Sequence, residues 1–182
     1  MRHVYQAEQW LPFPAETVFD FFANSENLPR LMPDWQKARI DEAVLVPPPP
    51  LPGGMMSDAA KLRAGQLAGK GTRMTISFRP FPFSPVRIPW DAEITEFVWN
   101  DHFCDVQHRG PFARWKHCHR LEVQQRDGRN GTMLRDHVEY ELPLGALGDF
   151  ANAVFVRRHM GAIFRYRQRR TAELLTLIAV GS

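Results

Sequence analysis

The chain has 182 residues, of which 44% are hydrophobic and 24% charged, with 13 Phe and 5 Trp; this fits one soluble globular domain with a sizeable core. Its formal charge of +3 is too small to argue nucleic-acid binding unless it is concentrated on one face. No run of 18 apolar residues occurs, so no membrane-spanning helix and no stable membrane insertion are expected, and MRHVYQAEQW lacks the apolar stretch of a signal peptide, so a cytoplasmic location is expected.

Residues 3–10 (HVYQAEQW) predict a first strand. Pro14 then opens a helix in which Val18, Phe21 and Phe22 recur at helical spacing beside Phe19. NSENLPRLMP predicts a second short helix that Pro33 ends. ARIDEAVLV (38–46) predicts a strand. The Pro/Gly-rich stretch 47–70 follows, opening with PPPPLPGG. Four consecutive prolines form neither helix nor central strand, so this is a PPII-like loop insertion. It is either a plain connection or a lid in which Met55, Met56 and Leu62 cover a pocket.

From Gly71 the chain predicts five successive strands, TRMTISFRP, VRIPWDAEITEF, DHFCDVQHR, ARWKHCHRLEVQQ and TMLRDHVEYEL, whose short connections imply an antiparallel meander. A long helix is expected from about 145 to 178, with Leu147, Ala151, Val154, Ile163 and Phe164 as its apolar stripe. Six arginines on it (157, 158, 165, 167, 169, 170) read as a solvated face. The expected fold class is α+β: a curved antiparallel sheet of about seven strands wrapped around a long C-terminal helix, with two short helices after strand 1 and a hollow between sheet and helix.

The segments LPFPAETVFDFFANSENLPRLMP, IPWDAEITEF, FCDVQHRGPFARWKHCHRLE, MLRDHVEYELPLGALGDF and FVRRHMGAIFRYR resemble the SRPBCC superfamily with its helix-grip fold. That superfamily includes START domains, Bet v 1-like proteins, polyketide cyclase/dehydrase proteins and coenzyme Q-binding proteins. The similarity is to a bacterial ligand-binding SRPBCC subfamily and covers nearly the whole chain outside 47–70, taken here as a single domain. It implies a pocket for a small, largely hydrophobic molecule (lipid-, polyketide- or quinone-like), and no cofactor.

Strand parity locates the pocket's polar part. A hairpin around Pro111 pairs Phe103 with His119, Asp105 with His117 and Gln107 with Trp115, and opposes Cys104 to Cys118 on the other face. If Asp127-Gly128 is a two-residue turn, Asp136 faces His119; if the loop is 127–130, Asp136 faces Leu121. Either way one face carries Trp90, Phe103, Trp115, Leu121, Val138 and Tyr140 together with Asp105, Gln107, His117, His119 and Asp136. Lys116, Arg120, Glu122, Arg135, Glu139 and Glu141 take the opposite face. His102, His108 and His137 share that solvent-side parity.

Five polar groups on a core face need partners, because each buried without one costs about 1–3 kcal/mol. Three readings follow. The groups close on one another as a structural network, with Asp105 holding His117 and Asp136 holding His119. Alternatively they orient a ligand between walls formed by Trp90, Phe103, Trp115 and Tyr140. In the third reading His117 or His119 is a general acid/base of a cyclase- or dehydratase-type enzyme, with Asp105 and Asp136 beside it. His-x-His plus a carboxylate is also a weak zinc pattern, and no metal is expected. A regulatory protein with a filled cavity is a further alternative. Two cysteines are too few for a disulfide framework, and free thiols are the default in a reducing cytoplasm.

Overall fold

The structure, a computed structural model, describes residues 1–51 and 65–181. Strand β1 (Arg2–Leu11) runs into helix α1 (Ala15–Ala23), and three 3₁₀ turns (Ser25–Asn27, Pro29–Leu31, Asp34–Gln36) lead to β2 (Arg39–Val44). Strands β3 (Arg73–Phe78), β4 (Ile88–Val98), β5 (His102–Arg109), β6 (Arg114–Arg126) and β7 (Arg129–Glu141) follow. The chain closes with α2 (Ala146–Ala151), a π-helical turn (Asn152–Val156) and α3 (Arg157–Gly181). All seven strands join one antiparallel sheet in the order β1-β7-β6-β5-β4-β3-β2, which curves around the long C-terminal helix.

Local chemistry explains where elements begin and stop. Val18 N donates to Pro14 O to open α1, and Val18, Phe19, Phe21 and Ala23 are buried. The second short helix expected after it is instead the run of 3₁₀ turns. Pro29 and Pro33 each remove a backbone donor, and with two gaps in ten residues no α-helical ladder forms. Asp127 and Gly128 both have positive φ, 48° and 74°, which is the type I′ geometry that suits a two-residue hairpin. That turn sets the β6–β7 register, and His119 stands opposite Asp136. In β5–β6, Phe103 stands opposite His119, Asp105 opposite His117 and Cys104 opposite Cys118, but the ladder ends at Val106–Lys116, before Gln107 reaches Trp115.

The long helix carries a correction. Its core-facing stripe is Met160, Phe164, Arg167, Thr171 and Leu174, at alternating spacings of four and three. Leu147 and Val154, expected on that stripe, are exposed. The π-helical turn at Asn152–Val156 adds a residue to one turn and so rotates the faces on either side of it; the side chain of Ala151 lies outside those described.

Two apolar clusters flank the middle of α3. One joins Phe19, Leu31, Leu121 and Leu134 to Leu174 and Leu175; the other joins Val138 and Tyr140 to Met160 and Phe164. The stretch from 47 to 70 is tied down at both described ends. Trp99 Nε1 donates to Pro49 O (2.8 Å), Gly69 N to Val46 O (2.8 Å) and Ala68 N to Ala23 O (2.9 Å). A Cβ at Gly69 would lie 2.6 Å from the backbone of Pro48, so only glycine lets the two chains lie this close. Met55, Met56 and Leu62, the expected lid residues, lie outside the described residues.

Candidate functional site

A cavity of about 370 Å³ lies between the concave face of the sheet, α1 and α3. That volume falls in the lower part of the range of small-molecule sites, roughly 300–1,000 Å³. Most of its wall is apolar: Met74, Ile76 and Phe78 from β3, Trp90, Ala92 and Ile94 from β4, and Met160 and Phe164 from α3. Of the residues singled out from the sequence, Trp90, Phe103, Asp105, Trp115, His117 and His119 line it. The aromatic wall is built edge to face, with Trp90 and Trp115 4.9 Å apart at 89°.

Three of the expected lining residues lie elsewhere. Gln107 is spent on the β5–β6 connection, where its Nε2 donates to Phe112 O (2.7 Å). The same loop brings Phe112 onto the wall, 4.8 Å from Trp115. Tyr140 is buried behind that wall, packed on Phe112 and Trp115. Asp136 lies beneath the histidines with 3% of its side chain exposed and does not reach the cavity surface.

The polar spot differs from two separate Asp–His pairs. Asp136 serves both imidazoles through one oxygen: His117 Nε2 donates to its Oδ1 at 3.0 Å, and His119 Nδ1 lies 2.7 Å from the same oxygen, off the line of a hydrogen bond. Asp105 Oδ1 is 3.8 Å from His117 Nδ1. Arg167 reaches in from α3, its guanidinium NH2 3.3 Å from His119 Nε2. A guanidinium only donates, so His119 Nε2 carries the lone pair and Nδ1 the proton, which faces Asp136. The His117–Asp136 bond uses Nε2 of His117 and turns its Nδ1 toward Asp105.

Electrostatics follow from this geometry. Burial, with His117 adding to it, lowers the pKa of His119 to about 3, so its ring is neutral at ordinary pH. Burial opposes ionisation of Asp136, but the His119 N–H that faces it and the hydrogen bond from His117 outweigh it and hold this carboxyl well below the usual carboxylate range. For Asp105 burial wins: its pKa is raised, against the pull of His117 and Arg167. Asp105 nonetheless exposes 23% of its side chain. It lines the cavity, so part of that surface faces the hollow. Burial lowers the pKa of Arg167, with Asp136 and Asp105 opposing the shift.

Asp105, His117 and His119 can bring one ligand atom each within 4.8 Å of one another, a donor set that suits zinc. Asp136 would brace both imidazoles from behind, as outer carboxylates do in metal sites. Against this, Arg167 sets a fixed positive charge at the lone pair of His119 that would bind the ion.

Sequence reasoning missed Arg167, Phe112, Phe22 and His159, all on the cavity wall. The signal for Arg167 was its place in the four-three stripe with Met160, Phe164, Thr171 and Leu174. The cysteines carry a second correction: Cys104 and Cys118, expected as free thiols, form a disulfide on the far side of the sheet from the cavity. Direct opposition with Cα atoms 4.1 Å apart puts the two sulfurs in bonding reach. The opposite face is a lattice of surface ion pairs, among them Lys116–Glu96 (2.6 Å), Arg73–Glu93 (2.9 Å) and Arg135 with Glu8 (2.9 Å) and Glu122.

A curved antiparallel sheet gripping a long C-terminal helix around an apolar cavity defines a helix-grip protein. The chain belongs to the polyketide cyclase/dehydrase and lipid transport family, whose profile matches residues 11–159. Solved structures share the fold at low sequence identity. Protein CV1439 from Chromobacterium violaceum is 14% identical, with a TM-score of 0.63 over 94% of this chain and 96% of its own. TTHA0849 from Thermus thermophilus is 15% identical, with a TM-score of 0.60 over 99% of this chain and 100% of its own. Ara h 8.0201 is 15% identical, with a TM-score of 0.56 over 95% of this chain and 99% of its own. A search of curated proteins found no match. Among the described residues no helix is long and apolar enough to cross a membrane.

Proposed function

We propose that the chain acts as one helix-grip domain that binds a small, largely hydrophobic molecule, lipid-, polyketide- or quinone-like, in the cavity between sheet and C-terminal helix. The observation that carries this reading is the cavity itself: about 370 Å³ of open space with apolar walls and polar groups gathered at Asp105, His117, His119 and Arg167. Walls of this kind favour a largely apolar occupant. Membership of a family described by polyketide cyclisation or dehydration and lipid transport supports the same class of ligand. An open cavity speaks against the alternative of a regulatory protein filled by its own side chains. The test is native mass spectrometry of the protein purified from its own host: a bound mass that organic solvent extracts supports the reading, and a bare chain that binds no apolar compound refutes it.

One observation favours a second reading, an enzyme of cyclase or dehydratase type. His117 is oriented by Asp136 at 3.0 Å and turns its other ring nitrogen toward Asp105 on the cavity wall, the arrangement of an oriented general acid/base. His117→Ala and His119→Ala separate the two readings: for an enzyme, turnover of a bound substrate is lost while binding is kept. The cytoplasmic location expected from the sequence stays part of the proposal. The Cys104–Cys118 disulfide opposes it, since structural disulfides are rare in reducing compartments.

A further inference from the structure

Building on the reading that the cavity takes an apolar molecule, we propose that this molecule carries a carboxylate, which pairs with Arg167 at the polar end of the cavity. Arg167 belongs to the core-facing stripe of α3, and its guanidinium lies against the ring of Phe22 with the central carbon 5.3 Å from the ring centre. One terminal nitrogen is used by His119 Nε2, at 3.3 Å. Its Nε is buried with no hydrogen-bond partner, so the terminal nitrogens are the ones that can meet a ligand. Among the described residues no carboxylate pairs with Arg167 within 4 Å, and Asp136 is engaged with the two imidazoles. A largely buried cation with no anion in contact is costly, and the charges of Asp136 and Asp105 offset only part of that cost.

The partner's chemistry follows from the groups present. A planar fork of N–H donors fits a carboxylate with two parallel bonds, which neither an alcohol nor a ketone can match, and it repels an ammonium. Arg167 is the one Arg or Lys on the described lining, so one carboxylate finds a guanidinium and a second does not. From there the wall runs through Trp90, Phe78, Ile76 and Met74, which suits a hydrocarbon or aromatic body. The ligand class is an amphipathic monocarboxylic acid.

The experiment displaces the uncharged fluorescent probe N-phenyl-1-naphthylamine from the full chain at neutral pH with dodecanoate and, separately, with dodecan-1-ol. Dodecanoate is expected to bind roughly tenfold to a hundredfold tighter than the alcohol, the worth of hydrogen bonds to a charged group. Arg167→Met is expected to level the two affinities by weakening dodecanoate alone. Equal affinities in the unaltered protein would overturn the carboxylate while leaving apolar binding intact, as would a preference that survives Arg167→Met. Failure of the probe and both compounds to bind would overturn the cavity reading and the carboxylate with it. If Arg167→Met does not fold, Arg167→Lys keeps the charge and loses the fork, and part of the dodecanoate preference should be lost; the comparison in the unaltered protein decides in any case.

Discussion

His117 Nε2 donates to Asp136 Oδ1 across 3.0 Å between neighbouring strands, and neither residue exposes more than 7% of its side chain. The carboxylate also faces His119 Nδ1. Removing it leaves the buried His117 N–H without its acceptor and the His119 N–H without the carboxylate it faces. Asp136→Ala is therefore expected to lower stability by about 3–5 kcal/mol. Asp136→Asn, which keeps one acceptor oxygen, should lose less. Urea unfolding at neutral pH measures both, and equal, small losses would show that the network contributes little.

Acid should weaken the fold before the ordinary carboxylates titrate. The folded-state pKa of His119 is lowered to about 3 from an ordinary value of 6.5. The unfolded chain thus takes up a proton that the folded one refuses. The stability this provides is present above 6.5 and is lost as pH falls from about 6.5 toward 3, at up to about 1.4 kcal/mol per pH unit. Asp105, raised in the fold, works in the opposite direction at the lower end of that window. Comparing unfolding of the unaltered protein with His119→Gln between pH 6.5 and 5 isolates the histidine: the slope should flatten in the variant.

The cysteines should give no thiol signal. Titration with a thiol reagent in denaturant is expected to find none, and reduction should destabilise the protein by roughly 3 kcal/mol for a closed loop of this size, since the bonded residues are 14 apart in sequence. Two reactive thiols would contradict the disulfide and support the cytoplasmic assignment.

Zinc offers a separate reading of Arg167. The unaltered protein should hold Zn²⁺ weakly, because a guanidinium sits at the nitrogen of His119 that would bind the ion. Arg167→Ala should bind it at least about tenfold tighter through Asp105, His117 and His119. Calorimetric titration checks the ratio, and no change would mean that the three ligands do not converge.

Much of this arrangement was legible in the residue pattern, because period-two alternation and a strong turn dipeptide determine which strand residues face each other. The pairings of Phe103 with His119, Asp105 with His117 and Cys104 with Cys118 follow from parity and a symmetric hairpin about Pro111, and the Asp127-Gly128 turn, one of two loops the sequence left open, sets Asp136 against His119. The sharing of Asp136 between both histidines was not legible, since it depends on how far each ring leans along the sheet. Gln107 has the right parity yet turns to its own loop, where Phe112 offers backbone partners. Arg167 was hidden by its type: five neighbouring arginines on the same helix invite one solvated face, and the π-helical turn upstream moves the apolar stripe away from Leu147 and Val154.

The central claim is that the hollow beneath the sheet is a binding site. Ala92 on β4 is buried, lines the cavity and has space in front of it. Binding of N-phenyl-1-naphthylamine, followed by fluorescence, should be saturable at one molecule per chain in the unaltered protein. It should be lost in Ala92→Phe, whose ring fills the space, while the melting temperature holds or rises. Probe binding undiminished by Ala92→Phe, or no binding in either protein, would contradict the claim.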